Sequence, residues 1–147
     1  MGAKFRWERV RITDFGLATT AKADTGMFLS GRSSIGNAFY VPPEVLLGLP
    51  EDESVDVYAT GLVLWQLFAA NAVDKAAPAS VVTKQSRPPL PSDMPQQLRT
   101  LLCRCWHQQP VLRPTSQQLH SELQQLAGTH AKQLQAAGQA QGPSERE

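Results

Sequence analysis

The 147-residue sequence predicts a mainly α-helical fold with one short β-strand near its N-terminus. Three segments between residues 54 and 126 are helical in pattern, with apolar residues at helical spacing or around most of the helix. Polar and apolar residues alternate at residues 9–13, as is typical of a short strand. Hydrophobic residues make up 41% of the chain, which is enough for a packed core.

The N-terminal part should consist of this strand, a tight turn and a long loop. Residues 14–16, which read Asp-Phe-Gly, follow the strand directly. Residues 18–40 are rich in Thr, Ser, Gly and Ala and show no sustained period, which indicates a loop. Loops of this length in compact domains are usually functional.

Two helices are expected after the loop. Pro43 suits the first turn of a short helix, and Gly48 can end it. Ser54 is a good N-cap for a longer helix over Val55–Ala70. That helix is apolar on most faces, so it should be central.

The remaining chain should hold two more helices. Residues 71–97 are rich in Pro and Ser and are expected to be mostly loop. An amphipathic helix then carries its apolar side chains at i, i+3, i+4 and i+7, namely Leu98, Leu101, Leu102 and Cys105. Thr115 or Ser116 caps a last helix with a leucine face, and residues 127–147 are expected to form a disordered or frayed tail. The predicted core includes Leu62, Leu64, Trp65, Leu67 and Trp106.

Charge and cysteine content argue against several classes of function. The formal net charge is +1, from 14 basic and 13 acidic residues, which predicts no attraction to nucleic acid or anionic membrane. The uncharged run at 57–73 is at the short limit for a membrane span and fits a buried helix better. Cys103, Cys105 and His107 fan out around a helix, so neither a disulfide nor a metal site is expected. We expect a cytoplasmic protein.

Four landmarks follow one another in a fixed order. Residues 11–18 read Arg-Ile-Thr-Asp-Phe-Gly-Leu-Ala, and residues 36–44 read Gly-Asn-Ala-Phe-Tyr-Val-Pro-Pro-Glu. Residues 54–65 read Ser-Val-Asp-Val-Tyr-Ala-Thr-Gly-Leu-Val-Leu-Trp, and Cys-Trp at 105–106 precedes Arg-Pro-Thr at 113–115. Each motif alone is weak, but in this order they resemble the large (C-terminal) lobe of eukaryotic-type protein kinases, from the Asp-Phe-Gly turn to the last helix.

The resemblance covers residues 9–126, which we interpret as a partial protein kinase domain behind a short lead at 1–8. The Cys-Trp pair and the Leu-Trp ending of the central helix resemble tyrosine kinases and tyrosine-kinase-like kinases. The form Gly-x-x-x-Tyr-x-x-Pro-Glu resembles kinases that act on Ser and Thr. The resemblance therefore favours a tyrosine-kinase-like Ser/Thr kinase, with ATP and Mg²⁺ as cofactors and a protein substrate or partner kinase.

The resemblance also implies roles for individual residues of the first half. Asp14 matches the magnesium ligand, whose carboxylate oxygen binds the cation that bridges the β- and γ-phosphates of ATP. Phe15 matches a core residue whose position sets active or inactive geometry, and Gly16 gives the turn backbone freedom. Ser33 and Ser34 lie nearest the usual phosphorylation site of the activation segment, although loop hydroxyls are also common for solubility alone.

Three further residues match structural positions of the family. Glu44 and Arg113 match an ion pair that ties the activation segment to the last helices. Asp56 matches the central-helix aspartate that accepts hydrogen bonds from the catalytic loop, although an acidic residue in a first helical turn also favours the helix dipole.

Several parts of the family pattern are absent from the sequence. It contains no Gly-x-Gly-x-x-Gly loop, no Val-Ala-Ile-Lys strand and no His-Arg-Asp. In family spacing the second-metal asparagine would fall near Met1, so the chain is expected to begin just past the catalytic loop. The large-lobe helix that precedes the central helix in the family is then absent too, so one face of the central helix should lie exposed or be covered by another chain. Asn37 stands where a Thr is usual, Pro42 replaces the usual Ala, and the helix expected between residues 69 and 87 is weak or missing.

Three hypotheses follow from this pattern. The chain is a fragment of a longer kinase, a kinase-derived binding module that regulates another kinase, or a product without function. In each case the missing phosphate loop, lysine and catalytic aspartate predict no catalysis by this chain alone.

Overall fold

The computed structural model describes residues 11–18, 38–69 and 78–139. Within them the chain is helical, as expected. The five α-helices are α1 (Pro43–Leu46), α2 (Ser54–Ala69), α3 (Pro78–Thr83), α4 (Gln96–Cys105) and α5 (Ser116–Gln139). Short 3-10 helices lie at Phe15–Leu17, Ala38–Tyr40 and Pro110–Leu112.

The strand expected at residues 9–13 is not confirmed. Residues 11–13 have no regular structure, and residues 9 and 10 lie outside the described ranges. Ile12 is 84% exposed, and the described residues provide no neighbouring strand. Alternating polarity therefore does not produce a strand here, because a strand needs a partner for its backbone N–H and C=O groups.

Helix α2 lies at the centre of the fold and packs against α4 and α5. Its first turn is capped by Asp52, whose carboxylate accepts a hydrogen bond from the backbone N–H of Ser54 at 2.9 Å. The predicted cap at Ser54 is therefore displaced toward the N-terminus, a shift that is common at helix ends.

The core consists of two adjoining hydrophobic clusters between α2, α4 and α5. The larger contains Tyr58, Leu62, Trp65, Met94, Leu98, Leu102 and Trp106. The smaller contains Val57, Leu101, Cys105 and Leu119. All four apolar positions predicted for α4 are buried, because its apolar stripe is narrow and only one orientation hides it.

The opposite face of α2 is open. Val63 and Leu67 on that face are 46% and 65% exposed, and Phe68 at the C-terminal end of the helix is 50% exposed. The prediction that Leu67 belongs to the core is therefore wrong. Leu67 follows Val63 by one helical turn, on the side facing away from α4. The expectation of an exposed apolar face on this helix agrees with these exposures.

The last helix begins with a reciprocal cap. The Thr115 hydroxyl accepts a hydrogen bond from the Gln118 N–H at 3.2 Å, and the Gln118 side chain accepts one from the Thr115 N–H at 2.8 Å. The helix then continues to Gln139, beyond residue 126, where the tail was expected to begin. Residues 140–147 lie outside the described ranges.

Two smaller expectations concern the segment between α2 and α4 and the membrane. Residues 78–83 form the short helix α3 within a segment expected to be mostly loop. None of the described helices combines the length and the apolar character that a membrane crossing requires.

Helices α2 and α4 approach each other closely at Gly61. A Cβ atom added there would lie 2.7 Å from the Cβ of Cys105. We therefore expect Gly61→Ala to destabilise the chain by about 1–3 kcal/mol, because one of the two helices must shift. The free energy of unfolding is measured by urea titration. Gly128→Ala is the control, since nothing lies within 4 Å of that position.

At Gly128 the added methyl group should instead stabilise α5, by up to about 1 kcal/mol, because alanine favours a helix more than glycine does. Equal effects of the two substitutions would contradict the close approach of α2 and α4.

The two cysteines should differ in reactivity. Both are free; Cys103 is exposed and Cys105 is buried. Burial raises the pKa of the Cys105 thiol to about 12, so it stays protonated at pH 8 and unreactive. A thiol reagent such as dithionitrobenzoate should modify one cysteine of the native chain and both in urea. Rapid modification of both in the native chain would show that the α2–α4 contact opens easily.

Candidate functional site

A buried ion pair joins α1 to the start of α5. Glu44 lies on α1, and Arg113 immediately follows the 3-10 helix at Pro110–Leu112. The Arg113 Nη1 and Nη2 atoms donate to Glu44 Oε1 and Oε2 at 2.6 and 2.8 Å. The side chain of Arg113 is 0% exposed and that of Glu44 is 4% exposed. The structure thus brings into contact the two residues that the kinase resemblance predicts to form an ion pair.

Arg113 also bonds to two other parts of the chain. Its Nε donates to the backbone carbonyl of His107 at 3.0 Å, and its Nη1 donates to that of Ser54 at 3.2 Å. The guanidinium therefore holds α1, the first residue of α2 and the α4–α5 connection at one point. A buried cation requires such a set of acceptors, because it would otherwise lose its hydration without compensation.

Local backbone geometry presents Glu44 to this pair. Pro42 is extended and Pro43 occupies the first turn of α1, where its missing N–H costs nothing. Gly48 then adopts φ 66°, and the N–H of Leu49 returns to the carbonyl of Glu44 at 2.9 Å. Glycine is favoured there because φ is positive. Pro42, which replaces the usual Ala of the kinase pattern, is thus compatible with the ion pair between Glu44 and Arg113.

The segment before α1 is held against α2. The Tyr40 hydroxyl donates to Gln66 Oε1 at 2.6 Å. The ring of Phe39 lies 6.2 Å from that of Trp65. The indole Nε1 of Trp65 in turn donates to the carbonyl of Pro89 at 2.8 Å. Residues 39–44 are therefore fixed both by aromatic packing and by the buried ion pair.

Sequence reasoning missed two residues beside the ion pair. The Cζ atoms of Arg113 and Arg87 lie 5.0 and 5.4 Å from the centroid of the Tyr58 ring, within the range of cation–π contacts. Burial raises the pKa of the Tyr58 hydroxyl, and the two arginines oppose that rise. The only sequence signal that Tyr58 faces inward is its helical spacing from apolar residues of α2.

The Asp-Phe-Gly turn has a geometry that the sequence did not predict. Asp14 adopts the left-handed conformation at φ 64° and ψ 66°, and a 3-10 helix follows over Phe15–Leu17. The residue with positive φ in this turn is thus Asp14 and not Gly16. Aspartate tolerates this region better than most residues.

The expectation that Phe15 packs in the core is wrong for this structure. Its side chain is 69% exposed, and it belongs to neither hydrophobic cluster. Ile12, which precedes the turn, is exposed as well.

The described residues do not by themselves form a site for Mg²⁺ and ATP. Asp14 supplies one exposed carboxylate, and no group of three His, Cys, Asp or Glu side chains that could hold a metal occurs in the described ranges. Magnesium is held by one or two carboxylates together with substrate phosphates and waters. Asp14 could contribute one such oxygen ligand, but phosphate-binding groups would have to come from elsewhere.

The other predicted residues are less informative. Asp56 lies in the first turn of α2 and is exposed, which suits the positive end of the helix dipole. Ser33 and Ser34 lie outside the described residues.

The ion pair should contribute strongly to stability. We expect Glu44→Gln to cost about 3–5 kcal/mol, because it leaves Arg113 buried without a charged partner. Glu122→Gln is the matched control: it removes a glutamate that also accepts two hydrogen bonds from one arginine, Arg104. That pair is 43% and 37% exposed, so its loss should cost less than about 1 kcal/mol.

Urea unfolding followed by tryptophan fluorescence measures both effects. A loss at Glu44 as small as that at Glu122 would show that the Glu44 site is open to water.

Comparison with known proteins agrees with the landmarks. A family model described as protein tyrosine and serine/threonine kinase matches residues 6–123. A probable serine/threonine-protein kinase of Dictyostelium discoideum is 38% identical over 122 residues, covering 80% of this chain and 13% of the relative. The dual specificity protein kinase shkA of the same organism is 32% identical, covering 80% of this chain and 23% of the relative.

A third relative is the probable serine/threonine-protein kinase SIS8 of Arabidopsis thaliana, which is 32% identical and covers 80% of this chain. The chain spans 12% of that relative's length, and less than a quarter of each of the three. The family match covers the Asp-Phe-Gly turn, the ion pair of Glu44 and Arg113, helices α2 and α4, and the first part of α5. The chain therefore belongs to the protein tyrosine and serine/threonine kinase family.

Proposed function

We propose that this chain is the part of a protein kinase domain that anchors the activation segment and the protein substrate. The parent activity would be ATP-dependent phosphoryl transfer to protein hydroxyls in the cytoplasm. One observation carries the proposal: residues 39–44 are fixed to α2 by the Tyr40–Gln66 hydrogen bond and to Arg113 by the buried ion pair. A segment held at both ends in this way offers a rigid surface on which a peptide substrate can be positioned.

Serine and threonine are the substrate hydroxyls that we favour. The Gly-x-x-x-Tyr-x-x-Pro-Glu form at residues 36–44 supports this choice. Two of the three relatives described above carry serine/threonine kinase in their names, and the third carries dual specificity. Tyrosine as an additional acceptor is therefore the nearest alternative.

Catalysis requires groups that this chain does not supply. The sequence contains no Gly-rich phosphate loop, no phosphate-pairing lysine and no His-Arg-Asp base. Loss of a general base alone lowers a rate by about 10²–10⁴. Asp14 would contribute a carboxylate oxygen to magnesium only when the rest of the cleft is present. We therefore propose that the isolated chain does not turn over.

A non-catalytic binding module is the second candidate. The observation that favours it is the open face of α2, where Val63 and Leu67 are exposed. Exposed apolar patches on a folded chain commonly mark an interaction surface. A catalytic parent and a binding module predict different outcomes for a phosphoryl-transfer assay.

The test uses this chain and the longest protein encoded by its native transcript, each with labelled ATP, Mg²⁺ and a general protein substrate. We expect label transfer by the longer protein and none by the chain alone. Asp14→Asn in the longer protein should lower transfer by about 10²-fold or more, because a metal-binding carboxylate is lost. Asp93→Asn is the control, since Asp93 is exposed in the turn before α4.

Transfer by the chain alone that Asp14→Asn abolishes would refute the proposed inactivity. If the transcript encodes no longer protein, or one without transfer activity, the binding module or a product without function becomes the better explanation.

A further inference from the structure

Arg87 is a partly buried cation that neither the sequence landmarks nor the proposed function explains. It lies in the linker between α3 and α4. Its Nε donates to the carbonyl of Trp106 at 2.8 Å, and its Nη2 donates to Gln108 Oε1 at 2.9 Å. Its Nη1 donates to the carbonyl of Ser86 at 2.9 Å. These acceptors among the described residues are all neutral, so the fork is oriented without an ion pair.

The oriented fork lies over the ring of Tyr58. The Cζ atom is 5.4 Å from the ring centroid. Tyr58 is 1% exposed, and the same ring is contacted by Arg113 at 5.0 Å. Two cations therefore share one buried aromatic ring, and one of them holds Glu44. A cation is attracted to the negative face of such a ring, more strongly when water is excluded.

The electrostatics also join these groups into one cluster. Burial lowers the pKa of Arg87, with Tyr58, Arg113 and Glu44 as the charged or ionisable neighbours that act on it. The same two arginines and Glu44 act on the pKa of Tyr58. The cluster thus contains two cations, one carboxylate and the ring between the cations.

We propose that Arg87 is a positioning residue for the Glu44–Arg113 pair, acting through the ring of Tyr58. Its hydrogen bonds fix the guanidinium to the end of α4, the guanidinium restricts the ring, and the ring restricts Arg113. The consequence is a physical link from the α3–α4 linker to α1. Any effect of this link on substrate positioning rests on the proposed function. The link between the side chains does not depend on it.

Arg99, which lies on α4, provides a matched control that contacts the same linker. Its Nη2 donates to the carbonyls of Pro91 and Ser92 at 2.8 and 3.3 Å, so it too fastens the linker to α4 through backbone carbonyls. It makes no cation–π contact within the described part of the chain. If these two arginines act only by holding the linker to α4, then Arg87→Gln and Arg99→Gln should affect Arg113 equally.

The experiment measures hydrogen exchange by NMR in the full 147-residue chain. The reporters are the Nη–H protons of Arg113 and the backbone N–H of Leu49, which donates to the Glu44 carbonyl. In Arg87→Gln we expect both to exchange about 5- to 30-fold faster, because a cation–π contact no longer opposes local opening. In Arg99→Gln we expect both rates to stay within about 2-fold of the original chain. Equal rates in the two variants would overturn the proposal.

A spectroscopic signature separates positioning from general loosening. The chain has two tyrosines, so the ring resonances of Tyr58 can be distinguished from those of Tyr40. They should shift in Arg87→Gln and stay in place in Arg99→Gln. Faster exchange at Arg113 without any shift of the Tyr58 ring would also overturn the proposal.

Folding failure is covered by a second pair of variants. Should Arg87→Gln fail to fold, Arg87→Lys and Arg99→Lys allow the same comparison, because lysine keeps the charge but cannot hold a planar fork against the ring. Faster exchange at Arg113 in Arg87→Lys alone supports the proposal, and equal exchange overturns it. None of these measurements depends on phosphoryl transfer, so failure of the proposed function would not be mistaken for failure of this inference.

Discussion

A guanidinium that is buried away from water needs hydrogen-bond acceptors for its N–H groups and a negative charge to balance its positive charge. Both are present around Arg113. Glu44 neutralises it, the carbonyls of His107 and Ser54 accept its other hydrogens, and Tyr58 covers it. Because these partners come from α1, α2 and the α4–α5 connection, satisfying one side chain fixes the relative position of three elements. The desolvation cost of a buried charge thus favours one arrangement of the chain over others.

Sequence patterns predict best those elements whose apolar residues can be buried in only one orientation. Helix α4 has a narrow apolar stripe, and all four of its expected inward positions are buried. Helix α2 is apolar nearly all round, so its periodicity could not reveal which side faces α4, and Leu67 was placed on the wrong side. The expected strand at residues 9–13 is not confirmed at residues 11–13 for a related reason, since alternation describes one strand but not the partner it requires.

The functional residues divide in the same way. Glu44 and Arg113 could be predicted because they sit inside motifs with fixed spacing, and the structure places them in direct contact. Arg87 and Tyr58 could not, because a cation–π contact between residues far apart in the chain leaves no local pattern. Phe15 shows the opposite limit: its motif is clear, yet its burial depends on surroundings that the described residues do not provide.

The length of α5 has a consequence for what the C-terminal half of that helix does in solution. Its 24 residues span about 36 Å, and the thirteen after Leu126 account for about 20 Å of that length. A helix of thirteen residues is marginal in water by itself, so this half persists because it continues a turn already nucleated against the core. It should therefore act as a spacer whose length depends on temperature. At low temperature it is fully helical, and on warming it unwinds from its free C-terminal end well before the packed helices unfold.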